Sequence, residues 1–276
     1  PFLANSAYSS TFEWKQGLPG KNEKQHYPYI GLQLKNYLIR RKKRIFKEST
    51  PYMISPSSWL DTCVTQSPCT SFLQHKQISN FADPTQFNAK TAKLKKNNAL
   101  KTLLFSAMEL NDSRKGADLM ISILELLDNK LTENICINII GSGSLTLPNF
   151  KHITTKLSRY INSFEELATH YQNADIFLLT SRLDNAPLTL QEATMCGTPC
   201  ITFDVGGCGE IVEHNVNGYA IKPFDVDLYA TKLFELIKTP VLLETFSKNT
   251  ALQAEKLFSK QRTIDTYLKV YRSLKR

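Results

Sequence analysis

Two carboxylates stand eight positions apart, Asp184 and Glu192, within the stretch SRLDNAPLTLQEATMCGTP that runs from Ser181 to Pro199. Pro187 suits the first position of a helix, where its missing N–H is not needed. Gly197 suits the residue just past a helix end. A helix is therefore expected over residues 187–196, and its first free amides, those of Leu188 and Thr189, form a ready anion site. Glu192 falls one turn inside that helix. A carboxylate there can accept two hydroxyl hydrogen bonds, as from a ribose diol. The same spacing also fits Asp184 as a helix cap and Glu192 as a favourable charge near the positive end of the helix dipole. Spacing alone leaves both roles open.

The elements that must position these residues are legible on either side. Apolar runs over 102–107, 135–140, 176–180 and 200–205 read as buried strands. Helical patterns fall over 116–129, 164–174, 187–196, 225–237, 241–257 and 260–274. Strands alternating with helices of this length imply βαβ units and an α/β fold with a Rossmann-like parallel sheet. Such sheets bind ligands beyond the carboxyl ends of their strands. Gly141 and Gly143 follow the second strand, where the chain is expected to turn.

The first third of the chain differs in kind. Residues 1–100 carry 15 Lys+Arg against five Asp+Glu, whereas residues 101–276 carry 19 against 20. The net charge of +9 thus belongs to the first part, which implies two units with different partners. Residues 1–34 read as loop. A helix is expected over 32–47, with Arg40, Arg41, Lys42, Lys43 and Arg44 in succession, able to meet anionic headgroups or merely to solvate a helix face. Strand-sized pieces over 52–54 and near 75–79 flank a short helix from Trp59, capped by the serines before it. The Lys- and Asn-rich segment 90–101 reads as a linker. The expected domains are 1–98, a partial N-terminal portion; 99–260, the ligand-binding domain; and 261–276, a terminal helix that crosses back.

Composition excludes several classes. Apolar residues make up 42% and charged residues 21%, as in a soluble globular chain. No apolar run approaches the roughly 20 residues of a membrane span. Six cysteines form no CxxC pair and the five histidines are scattered, which disfavours zinc and fits a reduced, cytoplasmic thiol set. Asp225-Val226-Asp227 has the DxD pattern of a metal site, but it sits at a helix start, where acids cap. Tyr37 and Phe46 are the only aromatic residues beside the basic run and no nucleic-acid motif occurs, so no nucleic-acid partner is expected.

A set of spaced elements then points further. Ser113-Arg114-Lys115-Gly116 follows the first strand of the larger part. Asp184-x7-Glu192, Cys196-Gly-Thr-Pro199, Asp204-Val-Gly-Gly207 with Glu210-Ile-Val212, and Asn217-Gly218 come after it in order. Together they resemble the donor-binding half of family-4 glycosyltransferases, retaining enzymes of the GT-B fold, with weaker similarity reaching back to residue 50. Asp184-Asn185-Ala186-Pro187 resembles the version of the motif in a branch that builds bacterial surface polysaccharide or lipopolysaccharide.

The resemblance implies a hexosyl transfer from a nucleotide sugar to a glycan or lipid-linked acceptor, without metal or other cofactor. Glu192 would hold the ribose. Lys115 and Arg114, with the Leu188 and Thr189 amides, would offset the diphosphate charge. Asp184 would lie near the donor sugar, and Gly141 and Gly143 would let the backbone approach the nucleotide. Six residues before Lys115, where the family commonly has Arg, this chain has Glu109. A whole enzyme of this fold has two Rossmann-like domains, so the N-terminal portion is expected to be truncated. A donor-domain fragment that only binds nucleotide is the alternative. Peripheral contact with an anionic membrane would suit a lipid-linked acceptor.

Overall fold

The computed structural model describes residues 35–89 and 100–274. The loop expected over 1–34 and most of the expected linker lie outside the described residues. Two compact units are divided between Ile78 and Ser79.

In the first unit a basic helix, α1 (Lys35–Ser49), precedes strand β1 (Met53–Ser55), helix α2 (Ser58–Gln66) and strand β2 (His75–Gln77). The two strands pair in parallel, Met53 opposite His75. Ser57 caps α2 by accepting from the Leu60 amide, as the Ser-rich lead-in predicts. Cys63 and Val64 form a small core, with Met53, Trp59 and Leu60 packed on it. His75 Nδ1 lies 2.9 Å from the Asp61 carboxylate and ties strand to helix.

The second unit is built on a six-stranded parallel sheet in the order β5-β4-β3-β6-β7-β8. Its strands are β3 (Lys101–Glu109), β4 (Ile135–Ser142), β5 (Ile153–Ser158), β6 (Ile176–Leu179), β7 (Cys200–Phe203) and β8 (Gly218–Ile221). The helices are α3 (Ala117–Asp128), α4 (Phe164–Asn173), α5 (Leu188–Met195), α6 (Val226–Lys238), α7 (Pro240–Leu257) and α8 (Lys260–Leu274). Helices α3 and α6 pack together, as do α4, α5 and α7. Right-handed crossovers send these two groups to opposite faces of the sheet. That is why β6 and β7 are buried at every position and read as unbroken apolar runs.

Counted from β3, the strand order is 3-2-1-4-5-6. The direction of winding reverses between β3 and β6, so the loops leaving those two neighbours part to opposite sides and open a crevice at the carboxyl edge. Asp175, just before β6, fastens the pair: its carboxylate accepts from the Thr102 amide at 2.8 Å and its own amide donates to Thr102 O at 2.7 Å.

The unit boundary falls earlier than residue 98 because Ala82 and Phe87 are part of the large core. Helix α8 returns to the start of this segment. Thr263 donates to Ser79 O, and Lys260 pairs with Asp83 at 3.4 Å. Two strands have no counterpart in the sequence reading. Strand β5 lies at the sheet edge, and of ITTKLS only Ile153 is buried. Strand β8 begins at Gly218, which reads as a turn residue. Yet a side chain there would lie 2.1 Å from Cys200 O, so the pairing with β7 needs glycine.

Leu124 on α3 has no exposed surface and sits in the main core. Leu124→Ala is expected to cost about 2–5 kcal/mol. The urea midpoint of the second unit's transition should fall accordingly, and an unchanged midpoint would contradict the packing described.

Candidate active site

The chain leaves β3 and makes a tight 3-10 turn, Ser113–Lys115, before α3. Asp112 caps it by accepting from the Arg114 amide. Gly116 ends it at φ 65°, and a Cβ there would lie 2.0 Å from Thr180 O at the end of β6. The Thr180 hydroxyl in turn donates to Gly116 O at 2.7 Å. The turn that carries the cations is thus clamped to the neighbouring strand, and glycine alone permits the approach.

Lys115 and Asp184 meet in the crevice. Lys115 Nζ lies 2.7 Å from Asp184 Oδ2, the two side chains 30% and 16% exposed. Asp184 is therefore not a helix cap. The N-cap of α5 is Pro187, which makes no side-chain cap bond, and the helix starts at Leu188, one residue later than its sequence signals imply. The intrahelical ladder begins with the Leu190 amide donating to Pro187 O. The amides of Leu188 and Thr189 precede it, and Leu188 is half exposed. The Asp184 loop is held from below by Gly206 and Gly207. The Gly207 amide donates to Asp184 O at 3.0 Å, and a Cβ on Gly206, at φ 58°, would fall 1.9 Å from that same oxygen. Cys208 is buried nearby, and burial together with the Asp184 charge pushes its thiol up to about 12.

Arg114 is tied to a neighbouring acid. Its guanidinium forks onto Asp112, with Nε 3.1 Å from Oδ1. Burial acts to raise the Asp112 carboxyl, and the Arg114 fork and amide outweigh it, leaving the group below the usual carboxylate range.

Arg182 is a residue the sequence reading did not single out. Its amide donates to Arg114 O and its Nη1 to Ser113 O, both at 2.7 Å, while the guanidinium also forks onto Asp118. Arg182 belongs to the loop bearing Asp184, so it locks that loop to the turn bearing Lys115. No local pattern marks such a residue, because its partners lie more than 60 positions away.

The two glycines at the carboxyl end of β4 separate in role. Gly141 is buried inside β4, where a Cβ would strike Ala107 O at 2.4 Å, so it serves strand packing. Gly143 is at the surface with φ 96°, and a Cβ there would fall 2.3 Å from Glu109 Oε1. Glu109 Oε1 accepts from the Asn111 amide at 3.2 Å. An acid thus occupies the lip of the sheet.

Glu192 lies one turn into α5 with most of its surface covered. Its Oε2 accepts from the Tyr171 hydroxyl at 2.9 Å. Burial raises its carboxyl above the ordinary value, and the Tyr171 bond opposes that shift. The DxD string has a structural use. Asp225 caps α6 by accepting from the Leu228 amide at 3.0 Å, and Asp227 lies in the first turn. Among the described residues, no group of three or more His, Cys, Asp or Glu is placed to hold a metal ion. All six cysteines are buried, with no disulfide between them.

Residues 86–253 match the family model of glycosyl transferases group 1, more than half of the chain. The chain belongs to this family. A D-inositol 3-phosphate glycosyltransferase from Catenulispora acidiphila is 31% identical over 173 residues, covering 58% of this chain and 41% of that protein. A poly(ribitol-phosphate) alpha-N-acetylglucosaminyltransferase from Staphylococcus aureus is 24% identical over 239 residues, 83% of this chain and 47% of its own length. The chain thus spans less than half the length of these curated relatives. The same fold occurs in Anabaena HepE, solved with UDP and glucose, at a TM-score of 0.70 and 17% identity over 91% of this chain and 69% of that one. It occurs also in sucrose-phosphate synthase from Thermosynechococcus elongatus, at 0.70 and 18%, over 91% of this chain and 65% of that one.

A raised carboxyl destabilises the folded state once ionised. Stability contributed by protonated Glu192 is lost as pH rises from the ordinary 4.5 through the higher folded value. Glu192→Gln removes that penalty and keeps an acceptor for Tyr171. The unliganded variant is expected to melt above the native protein at pH 7.5, with the difference shrinking as pH falls toward 4.5. A variant no more stable at pH 7.5 would contradict the assigned cost.

Proposed function

We propose that this protein transfers a sugar from a nucleotide-diphosphate donor to a glycan or lipid-linked acceptor, with retention of anomeric configuration and without metal. The observation that carries the reading is the Lys115–Asp184 pair at the β3/β6 crevice, beside the amino end of α5. Cleaving the donor's glycosidic bond sends its electron pair to the departing diphosphate. Stabilising that charge needs fixed cations and amide dipoles aimed at it. Lys115 has three N–H donors and gives one to Asp184. The Leu188 and Thr189 amides add the positive end of a helix. Arg114, neutralised by Asp112, adds less than its charge implies. Glu192 accepts from the ribose diol, Asp184 lies beside the sugar, and Gly143 admits the nucleotide at the sheet lip.

Support for the chemical class comes from relatives as well. HepE was solved with UDP and glucose and also with UDP-glucose, and the staphylococcal relative's acceptor is a poly(ribitol phosphate). The Asp184-Asn185-Ala186-Pro187 sequence favours the surface-polysaccharide branch. A lipid-linked acceptor places the work at the cytoplasmic face of a membrane, and α1 supplies a contact for it. No described helix is long and apolar enough to cross one. In α1, Arg40, Arg41, Lys43 and Arg44 are exposed, whereas Lys42 is partly covered and burial lowers its ammonium, with Cys69 opposing. Four of the five cations in the run 40–44 therefore face outward, at about 1 kcal/mol each near an anionic leaflet.

Two measurements test this reading. With UDP-glucose or UDP-N-acetylglucosamine as donor and poly(ribitol phosphate) or a lipid-linked glycan as acceptor, transfer is expected to survive EDTA. Lys115→Ala should lower it about 100-fold or more. Loss on chelation, restored by manganese, would overturn the metal-free reading, and nucleotide binding with no transfer would reduce the function to binding. In vesicle sedimentation, anionic lipid should retain the native protein at low salt and release it at high salt. Equal partitioning by a variant with Arg40, Arg41, Lys43 and Arg44 changed to Gln would remove α1 as the membrane contact.

A further inference from the structure

Tyr171 is fully buried on α4, yet its hydroxyl is not spent on packing. The ring meets Phe177 and Phe87 edge to face, with centroids 5.4 and 6.1 Å apart. A phenylalanine would make the same contacts. The hydroxyl is different: burying one costs free energy unless it is hydrogen-bonded. Here it donates to Glu192 Oε2 on α5 at 2.9 Å, and Ser106, near the carboxyl end of β3, lies beside it. The Tyr171 hydroxyl therefore links α4 to a crevice carboxylate that makes no ion pair among the described residues.

We propose that Tyr171 is a positioning residue of the nucleotide site: its hydroxyl, with Ser106 beside it, holds one oxygen of Glu192 so that the other is presented to the ribose. The inference rests on the reading of Glu192 as the ribose acceptor. A glutamate on an eight-residue helix has three rotatable bonds, and a bidentate grip on a diol needs them frozen. A neutral donor does this without the cost to affinity that a cation would bring by competing for the same carboxylate. The bond also favours the ionised form of an acid that burial pushes toward protonation. The titratable groups placed against Glu192 are Tyr171 from α4 and Cys196 at the end of α5. Burial holds the tyrosine far above its usual range and the thiol up to about 12, so both stay neutral through the working range.

Tyr171→Phe tests the idea, because it removes the hydroxyl and little volume. UDP and GDP are titrated into the full chain by calorimetry, and the tighter is carried forward with its 2′-deoxy and 3′-deoxy forms. The native protein should prefer the ribonucleotide. Tyr171→Phe should weaken ribonucleotide binding about tenfold, leave the deoxy forms nearly unchanged, and move the acid-side loss of affinity to higher pH. Ser106→Ala should act in the same direction with smaller size, which covers the case of a poorly folded Tyr171→Phe. A purely structural role would weaken all ligands alike and leave the pH profile in place. That outcome, or equal discrimination by native and variant proteins, overturns the proposal for Tyr171. Failure of the native protein itself to discriminate, or to bind either nucleotide, overturns the Glu192 reading instead.

Discussion

The ion pair between Lys115 and Asp184 joins two loops 69 residues apart in sequence, and the rest of the crevice is arranged around it. Its partners can meet because β3 and β6 are neighbours in the sheet while the winding reverses between them. A lysine alone in a half-covered crevice would lose hydration with nothing in return, and an aspartate alone would repel an anion. Paired, they are close to neutral, and the ammonium keeps N–H groups beyond the one it gives to Asp184.

Holding that pair takes more backbone than side chain. Gly116 and Gly206 let the cation turn and the Asp184 loop press against carbonyl oxygens at distances a Cβ would forbid. Arg182 then stitches the loop to the turn through two main-chain oxygens, one met by its amide and one by its guanidinium, so its charge serves geometry rather than ligand. Catalytic preorganisation depends on such supports, since a fixed dipole stabilises charge only if it does not have to move.

The first unit follows other rules. Among its described residues the core is small, the strands are three residues each, and α1 is the longest element. Helical geometry limits what five successive cations can do. With 3.6 residues per turn, such a run wraps past the outward face, and Lys42 is the one carried inward.

Local pattern by itself determined the α/β class, the central strands and the helices that follow them. Apolar runs bounded by Gly, Pro and Asn carry that information within a few residues. It also determined the cap at Asp225, where an acid precedes a helix. It brought Asp184, Leu188 and Glu192 into view through residue type and order, and Lys115 through the resemblance of its motif alone. What it could not supply was who touches whom. Edge strand β5 is polar and draws its hydrogen bonds from β4, so its own residues announce little. Gly141 and Gly143 look alike in sequence and part company only because β3 passes close to the first. Arg114 has the charge for a diphosphate, but Asp112, two residues away, claims it. Arg182 and Tyr171 carry no local mark until strands and helices far apart in the chain are brought against them. The tertiary structure decided these roles, because a hydrogen bond depends on distance in space and the chain records only distance along itself.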